Sequence, residues 1–277
     1  MTNISAADVN KLRQMTGAGL MDCKKALMET SGDFEAAIDY LRKKGAKISE
    51  KRSDRDASEG AVIAMTSADA SAGVIIELNC ETDFVAKNDG FVAFAKEVAE
   101  IALNSKPADL DALKALPMGD ATISARLLDE MAKIGEKIDV SKYTLMEGAN
   151  VVSYIHGANR MGVLVELSAA PTEANTFAGK DVAMQIAAMN PVAVDKSGVD
   201  ASRIEREMEI GREQARAEGK PEAMIDRIAE GKLNKFFKES TLLSQEFVKD
   251  SSKTVEKMLS DVEAGLTVKQ FTRVQLG

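Results

Sequence analysis

The sequence predicts an α+β protein with a helical N-terminal module, two related halves built on small antiparallel sheets, and an inserted helical hairpin. Three observations carry that prediction. Apolar residues follow a helical period over roughly the first 45 residues, then turn strand-like from Ala61. A strand-to-helix pattern occurs twice: Gly73-Val-Ile-Ile-Glu-Leu ahead of Lys96-Glu-Val-Ala, and Gly162-Val-Leu-Val-Glu-Leu ahead of Lys180-Asp-Val-Ala. A charged stretch from Asp200 carries two helical seams joined by Gly219-Lys220-Pro221.

The first helix is announced by Ser5 with Asp8 three residues on, a capping-box variant, followed by Val9, Leu12 and Met15 at helical spacing. Thr16-Gly-Ala-Gly ends it, and a second helix runs from about Met21 to Met28. Ser31-Gly-Asp breaks the chain before a third, with Phe34, Ile38 and Leu41 on one face and Gly45 as a stop. Three short helices make a bundle barely large enough to be stable alone. The charged segment from Lys43 to Gly60 has no face to bury and reads as a linker.

From there the period is that of strands. AVIAM at Ala61 and AGVIIEL at Ala72 form a pair around a small polar turn. Helices follow at Gly90–Leu103 and, after Pro107 and Pro117, at Ile123–Ile134; Asp139–Gly148 could close the layer as a third strand. Then the pattern repeats, with a strand pair over Asn150–Ala169 and a helix around Thr176–Met189. Pro107 stands 11 residues past Lys96, as Pro191 stands 11 past Lys180. Three matches in one order point to two related halves.

In the hairpin, Gly219 past the first helix and Pro221 at the start of the second stand in the favoured order. Ile204, Met208, Gly211 and Ala215 form a narrow seam; Ile225, Ile228, Leu233 and Phe236 form a wider one. The seams could close the helices on each other or pair two chains. A helix over Ser252–Ala264 and a strand-like LTVKQFTRVQL from Leu266, able to complete the second sheet, close the chain.

One difference between the halves is informative. Eighteen residues separate Glu77 from Lys96, but 13 separate Glu166 from Lys180, so the first half carries five more where strand passes to helix. That is where Thr82-Asp83-Phe84-Val85 lies, and a segment the scaffold can omit is a candidate for function. Burying a Phe in a partner's pocket contributes about 1.5–3 kcal/mol. The alternative is that Phe84 folds back over its own sheet and Asp83 caps the following helix.

Enzyme chemistry finds little support. His156 is the single histidine and the two cysteines, Cys23 and Cys80, lie far apart, so neither a zinc site nor a disulfide pattern forms. Both cysteines read as free thiols in a reducing compartment, and His156 as a surface hydrogen bonder. Thr16-Gly-Ala-Gly follows a helix and lacks phosphate-loop spacing, which favours a tight interhelical turn. No cofactor and no metal are expected.

The net charge of −8 argues against wholesale nucleic-acid binding. Residues 1–55 nevertheless hold 11 Lys and Arg against 8 Asp and Glu, which suits an acidic protein surface. The N-terminus shows no signal-peptide pattern, and no apolar run approaches the roughly 20 residues that cross a bilayer. The expected location is cytoplasmic, with no membrane contact.

Two segments, ELNCETDFVAK (Glu77–Lys87) and LRQMTGAGLMDCKKAL (Leu12–Leu27), closely resemble the two motifs of bacterial elongation factor Ts, the guanine nucleotide exchange factor for elongation factor Tu. The order of segments is similar over nearly the whole chain. The resemblance implies a UBA-like three-helix module with its linker over 1–55 and a first core subdomain over 56–148. A second core subdomain would cover 149–190 and 234–277, with the hairpin over 191–233, a dimerisation element in some members.

It also implies that Asp83 and Phe84, flanked by Thr82 and Val85, push into the partner's GTPase domain near its Mg²⁺. Lys24, Ile134, Gly135 and His156 would be further contacts. Some members continue past the last strand into another helical module; with this chain stopping at Val-Gln-Leu-Gly, that contact is expected to be absent. Two other classes remain open: an adaptor that leaves exchange unchanged, and a nucleotide-binding enzyme, which would bind GDP by itself.

Overall fold

The computed structural model describes residues 4–52 and 54–277; side chains at 46–52 also lie outside the description, and with them part of the expected linker. By contact density the chain forms two compact units. One comprises residues 1–63, 75–144 and 275–277, the other residues 64–74 and 145–274.

The first unit opens with α1 (Ala6–Thr16), α2 (Leu20–Glu29) and α3 (Phe34–Arg52). The Ser5–Asp8 capping box forms as the sequence predicts. Gly17 ends α1 in the left-handed region at φ 67°, where a Cβ would be strained. Val9, Leu12, Cys23, Ala26, Leu27, Ala37 and Leu41 make the module's aliphatic core.

The expected stop at Gly45 is corrected: α3 runs through it to Arg52. Gly45 instead lies where α3 crosses α7 (Ile123–Ile134), and a Cβ there would sit 3.1 Å from the Ala132 Cβ and from the Leu128 carbonyl oxygen. A residue that resembles a helix terminator is therefore a point of close helix approach.

The first sheet has the order β1 (Glu59–Thr66), β2 (Ala72–Cys80), β5 (Asp139–Glu147). Every residue of β2 is buried, as its apolar run from Ala72 to Ile76 suits. Its one buried carboxylate, Glu77, accepts from Lys142 Nζ on β5 at 2.8 Å and from Asn79 Nδ2 at 3.0 Å. Between β2 and β5 lie α4 (Asp83–Ala86), α5 (Asp89–Ser105), α6 (Leu110–Ala115), the two-residue strands β3 (Pro117–Met118) and β4 (Ala121–Thr122), and α7.

The second sheet has the order β10 (Val268–Gln275), β7 (Met161–Leu167), β6 (Val151–His156). The β6–β7 pair is antiparallel with Val151 opposite Glu166 and His156 opposite Met161. Over it lie α8 (Glu173–Met189) and α11 (Val255–Val262), with Val163, Val165, Val182, Ile186 and Leu259 in one core. A small hairpin of β8 (Glu246–Phe247) and β9 (Asp250–Thr254) precedes α11.

The two sheets share a plan. In each, the strand bearing the repeated Gly-Val motif is central, its predecessor pairs on one side and a late strand on the other. Both main helices end on a left-handed residue followed by proline, Lys106 before Pro107 and Asn190 before Pro191. The central glutamate is matched too: Glu166 accepts from Gln270 Nε2 on β10 at 2.8 Å, as Glu77 accepts from Lys142.

Helices α9 (Ala201–Ala217) and α10 (Ile225–Ser240) form the predicted antiparallel hairpin. Its base is stitched by the Val192 amide donating to the Ser240 carbonyl and the Leu242 amide donating to the Ala193 carbonyl. Where the helices are closest, a Cβ on Gly211 would lie 3.0 Å from the Ala229 Cα. The buried seam is Gly211, Ala215, Ile225 and Ala229.

Candidate functional site

Most of the five-residue excess of the first half lies at α4 and its flanks. Helices α5 and α8 both begin seven residues before their matched lysines, so the excess lies ahead of the helices: two residues lengthen β2 past Glu77 and three lengthen the loop that carries α4. The loop folds as one helical turn because its caps are supplied locally. The Thr82 hydroxyl accepts from the Val85 amide at 3.5 Å, and Asn88 Oδ1 accepts from the Gly90 and Phe91 amides to start α5. Asp83 is not the cap that the fold-back alternative required; its carboxylate pairs with Lys87 Nζ at 2.6 Å, one turn on. That ammonium holds the Asp83 carboxyl below the usual carboxylate range.

Phe84 removes the fold-back alternative. Its side chain is 83% exposed, so it does not cover its own sheet. An aromatic ring so open to water, on a turn with both ends capped, is presented rather than stored.

The turn is also bolted down from below. Glu136, two residues past the end of α7, reaches the root of the loop. Its Oε2 accepts from the Glu81 and Thr82 amides at 3.1 and 3.0 Å, and its Oε1 accepts from the Thr82 hydroxyl at 2.6 Å. The favour is returned by Glu81, whose Oε1 accepts from the Lys137 amide at 2.6 Å and whose Oε2 meets Arg55 at 3.0 Å. Charge-assisted bonds of this kind are about twice as strong as neutral ones. Sequence reading gave neither glutamate a role of its own: they are joined across more than 50 residues of chain, and no local period marks them.

The structure therefore brings Thr82, Asp83, Phe84 and Val85 next to the segment carrying Ile134 and Gly135. Ile134 is half-buried and Gly135 caps α7 at φ 83°. Lys24 stands apart from them on α2, exposed and without a partner among the described residues. It shares the module with the exposed side chains of Met15, Leu20, Met21 and Met28. His156 belongs to the other unit, exposed at the end of β6, with Nδ1 2.9 Å from the Tyr154 hydroxyl.

Nucleophilic chemistry is poorly served here. Cys80 is the nearest thiol, buried with Sγ donating to the Thr82 carbonyl at 3.2 Å. Burial first, and then the Glu136 carboxylate, push it up to about 12, so it stays protonated at neutral pH. Among the described residues no group of three or more His, Cys, Asp or Glu could hold a metal ion. Among them, too, no helix is long and apolar enough to cross a membrane.

Fold and site define a class: an α+β protein of two related halves, one of which mounts an exposed aromatic side chain on a braced turn. Comparison with known proteins places it within that class. A family model described as Elongation factor TS matches residues 81–277. The chain is 52% identical to Elongation factor Ts of Cytophaga hutchinsonii over 277 residues, all of both chains. It is 53% identical to that of Amoebophilus asiaticus over 99% of each, and 44% identical to that of Prosthecochloris aestuarii over the full length of both. The chain belongs to the elongation factor Ts family, whose role in translation elongation is nucleotide exchange, not bond-making catalysis.

Proposed function

We propose that the chain binds elongation factor Tu carrying GDP in the cytoplasm and promotes GDP release by pushing the Thr82–Val85 turn toward the partner's Mg²⁺ site. The observation that supports this reading most is the exposure of Phe84 on a turn that the second half of the molecule does without. The ring wedges into an apolar gap between partner helices while the ionised Asp83 engages polar groups nearby. Elements that position Mg²⁺ shift, and the diphosphate loses its counter-charge. The chain lowers the barrier to release by binding the nucleotide-free partner best.

Lys24 and the exposed methionines of the N-terminal module form a second contact in this reading, with Ile134 and Gly135 beside the turn and His156 as lesser ones. The N-terminal module with its linker, the two core subdomains and the inserted hairpin act as distinct parts, and the hairpin is available for pairing two chains. No direct contact with nucleic acid or membrane is part of the reading.

Release of fluorescent GDP from elongation factor Tu, with and without the chain, tests it. Losing a well-buried Phe anchor costs about 2 kcal/mol or more, so Phe84→Ala is expected to slow stimulated release roughly 10- to 100-fold. Its circular dichroism should be unchanged, because the ring is exposed. Full stimulation by Phe84→Ala rules out the wedge, and no stimulation by the intact chain would favour an adaptor.

A further inference from the structure

We propose that Glu136 is a positioning residue for exchange: its carboxylate sets the pose of Phe84 and carries no contact of its own to the partner. The inference rests on the wedge reading above and adds the element that makes the wedge stiff.

Three observations carry it. First, Glu136 accepts three hydrogen bonds, from the amides of Glu81 and Thr82 and from the Thr82 hydroxyl, all at the root of the turn. The Thr82 hydroxyl in turn accepts from the Val85 amide, so a continuous chain of bonds leads from Glu136 around the turn that holds Phe84. A one-turn helix cannot fix itself, since a short helix forms too few bonds to offset its nucleation cost. Its rigidity must come from outside.

Second, the clamp is reciprocal. Glu81 accepts from the Lys137 amide while Glu136 accepts from the Glu81 amide, which ties the loop to the end of α7 in both directions. Glu81 also pairs with Arg55, whose carbonyl accepts from Lys137 Nζ at 3.1 Å. Such mutual bonding restricts sliding as well as lifting.

Third, the second half shows what the same junction looks like without an inserted turn. There the Ser168 amide donates to the Thr267 carbonyl at 2.9 Å and the Thr267 amide donates to Ser168 Oγ at 3.0 Å, closing the gap with short groups. A glutamate just past the preceding helix is present as well, but Glu263 spends its carboxylate on Asn175 Nδ2, in the first turn of α8. In the first half the inserted turn stands where that helix start would be, and Glu136 grips the turn instead. Both halves bond this junction, and the difference lies in what the glutamate holds: the start of α8 in the second half, the inserted turn in the first.

The test compares Glu136→Ala with Glu136→Gln, alone and combined with Phe84→Ala. Glutamine can keep all three bonds: its carbonyl oxygen accepts from both amides and its amide donates to Thr82 Oγ1. Stimulated GDP release is expected to fall about three- to tenfold in Glu136→Ala and to stay within about twofold of the parent in Glu136→Gln; added to Phe84→Ala, Glu136→Ala should change little, because residues acting through one another are not additive. Amide hydrogen exchange at Val85 and Ala86, whose amides donate to the Thr82 hydroxyl and carbonyl, should quicken in Glu136→Ala in the isolated chain and not in Glu136→Gln. Unchanged amide protection, or a loss that multiplies that of Phe84→Ala, overturns the positioning role while leaving the wedge standing. Full stimulation by Phe84→Ala removes the wedge and this role together.

Discussion

Single residues in this chain differ in how far their neighbours commit them. Asp69, in the turn between β1 and β2, is an exposed carboxylate with unusually heavy local bonding. It accepts from Ser67 Oγ at 2.6 Å, from the Ser71 amide at 3.1 Å and from Ser71 Oγ at 2.8 Å. Those bonds, Ser67 first, lower it from the ordinary 3.8 to about 2. A carboxyl whose folded value is depressed contributes stability above its unfolded value, and that contribution is lost as pH falls through the folded one. The window here is therefore pH 4 to 2. Thermal unfolding followed across that window should lose stability more steeply in the parent than in Asp69→Asn, which cannot ionise; parallel slopes would deny the turn any such role. Residues of this kind are legible in sequence, since Ser-x-Asp-x-Ser is local turn chemistry. Phe84 was legible as a misfit in a polar loop. Glu136 was not, because its partners lie 54 and 55 residues away in the chain and nothing nearby announces them.

Elements were legible wherever period and punctuation agreed. The strands β2 and β7, the helix α7 and the hairpin turn all fall where alternation, caps and Gly-x-Pro place them. Misreadings fall where tertiary contact reassigns a residue. Gly45 carries the local signature of a stop, but α3 needs a side-chain-free position to lie against α7, and burial of that face outweighs the helical cost of glycine, about 1 kcal/mol. The short α6 and the hairpin of β8 and β9 are too brief for any period to register. Gly211 plays the part of Gly45 in the hairpin, with Ala229 against it. A leucine there must push α9 and α10 apart, and overpacking of this kind costs about 1–3 kcal/mol. Gly211→Leu is expected to speed amide exchange along α9 and α10 by about tenfold or more while leaving that of β2 and β7 unchanged. Equal protection in parent and variant would mean that the helices meet elsewhere.

At the scale of the whole molecule, the proposed wedge is a thermodynamic statement about two states of the partner. The chain needs no energy source of its own if its preference for the empty partner is what drives release. Linkage then fixes the reverse effect: the factor by which the chain weakens GDP binding equals the factor by which GDP weakens the chain's binding. An adaptor that docks through the N-terminal module alone would show a factor near one, however tightly it bound. Calorimetric titration of the chain into nucleotide-free and into GDP-loaded elongation factor Tu measures it directly. Coupling of this kind typically lies near 5- to 150-fold, and a dedicated exchange factor should reach at least the upper end. On the proposed wedge, Phe84→Ala should shrink that ratio by about tenfold, chiefly through weaker binding to the empty partner. If Phe84→Ala instead weakened both titrations equally, the ring would be an anchor that holds the pair together in either state, and the force that opens the nucleotide site would have to come from another part of the molecule.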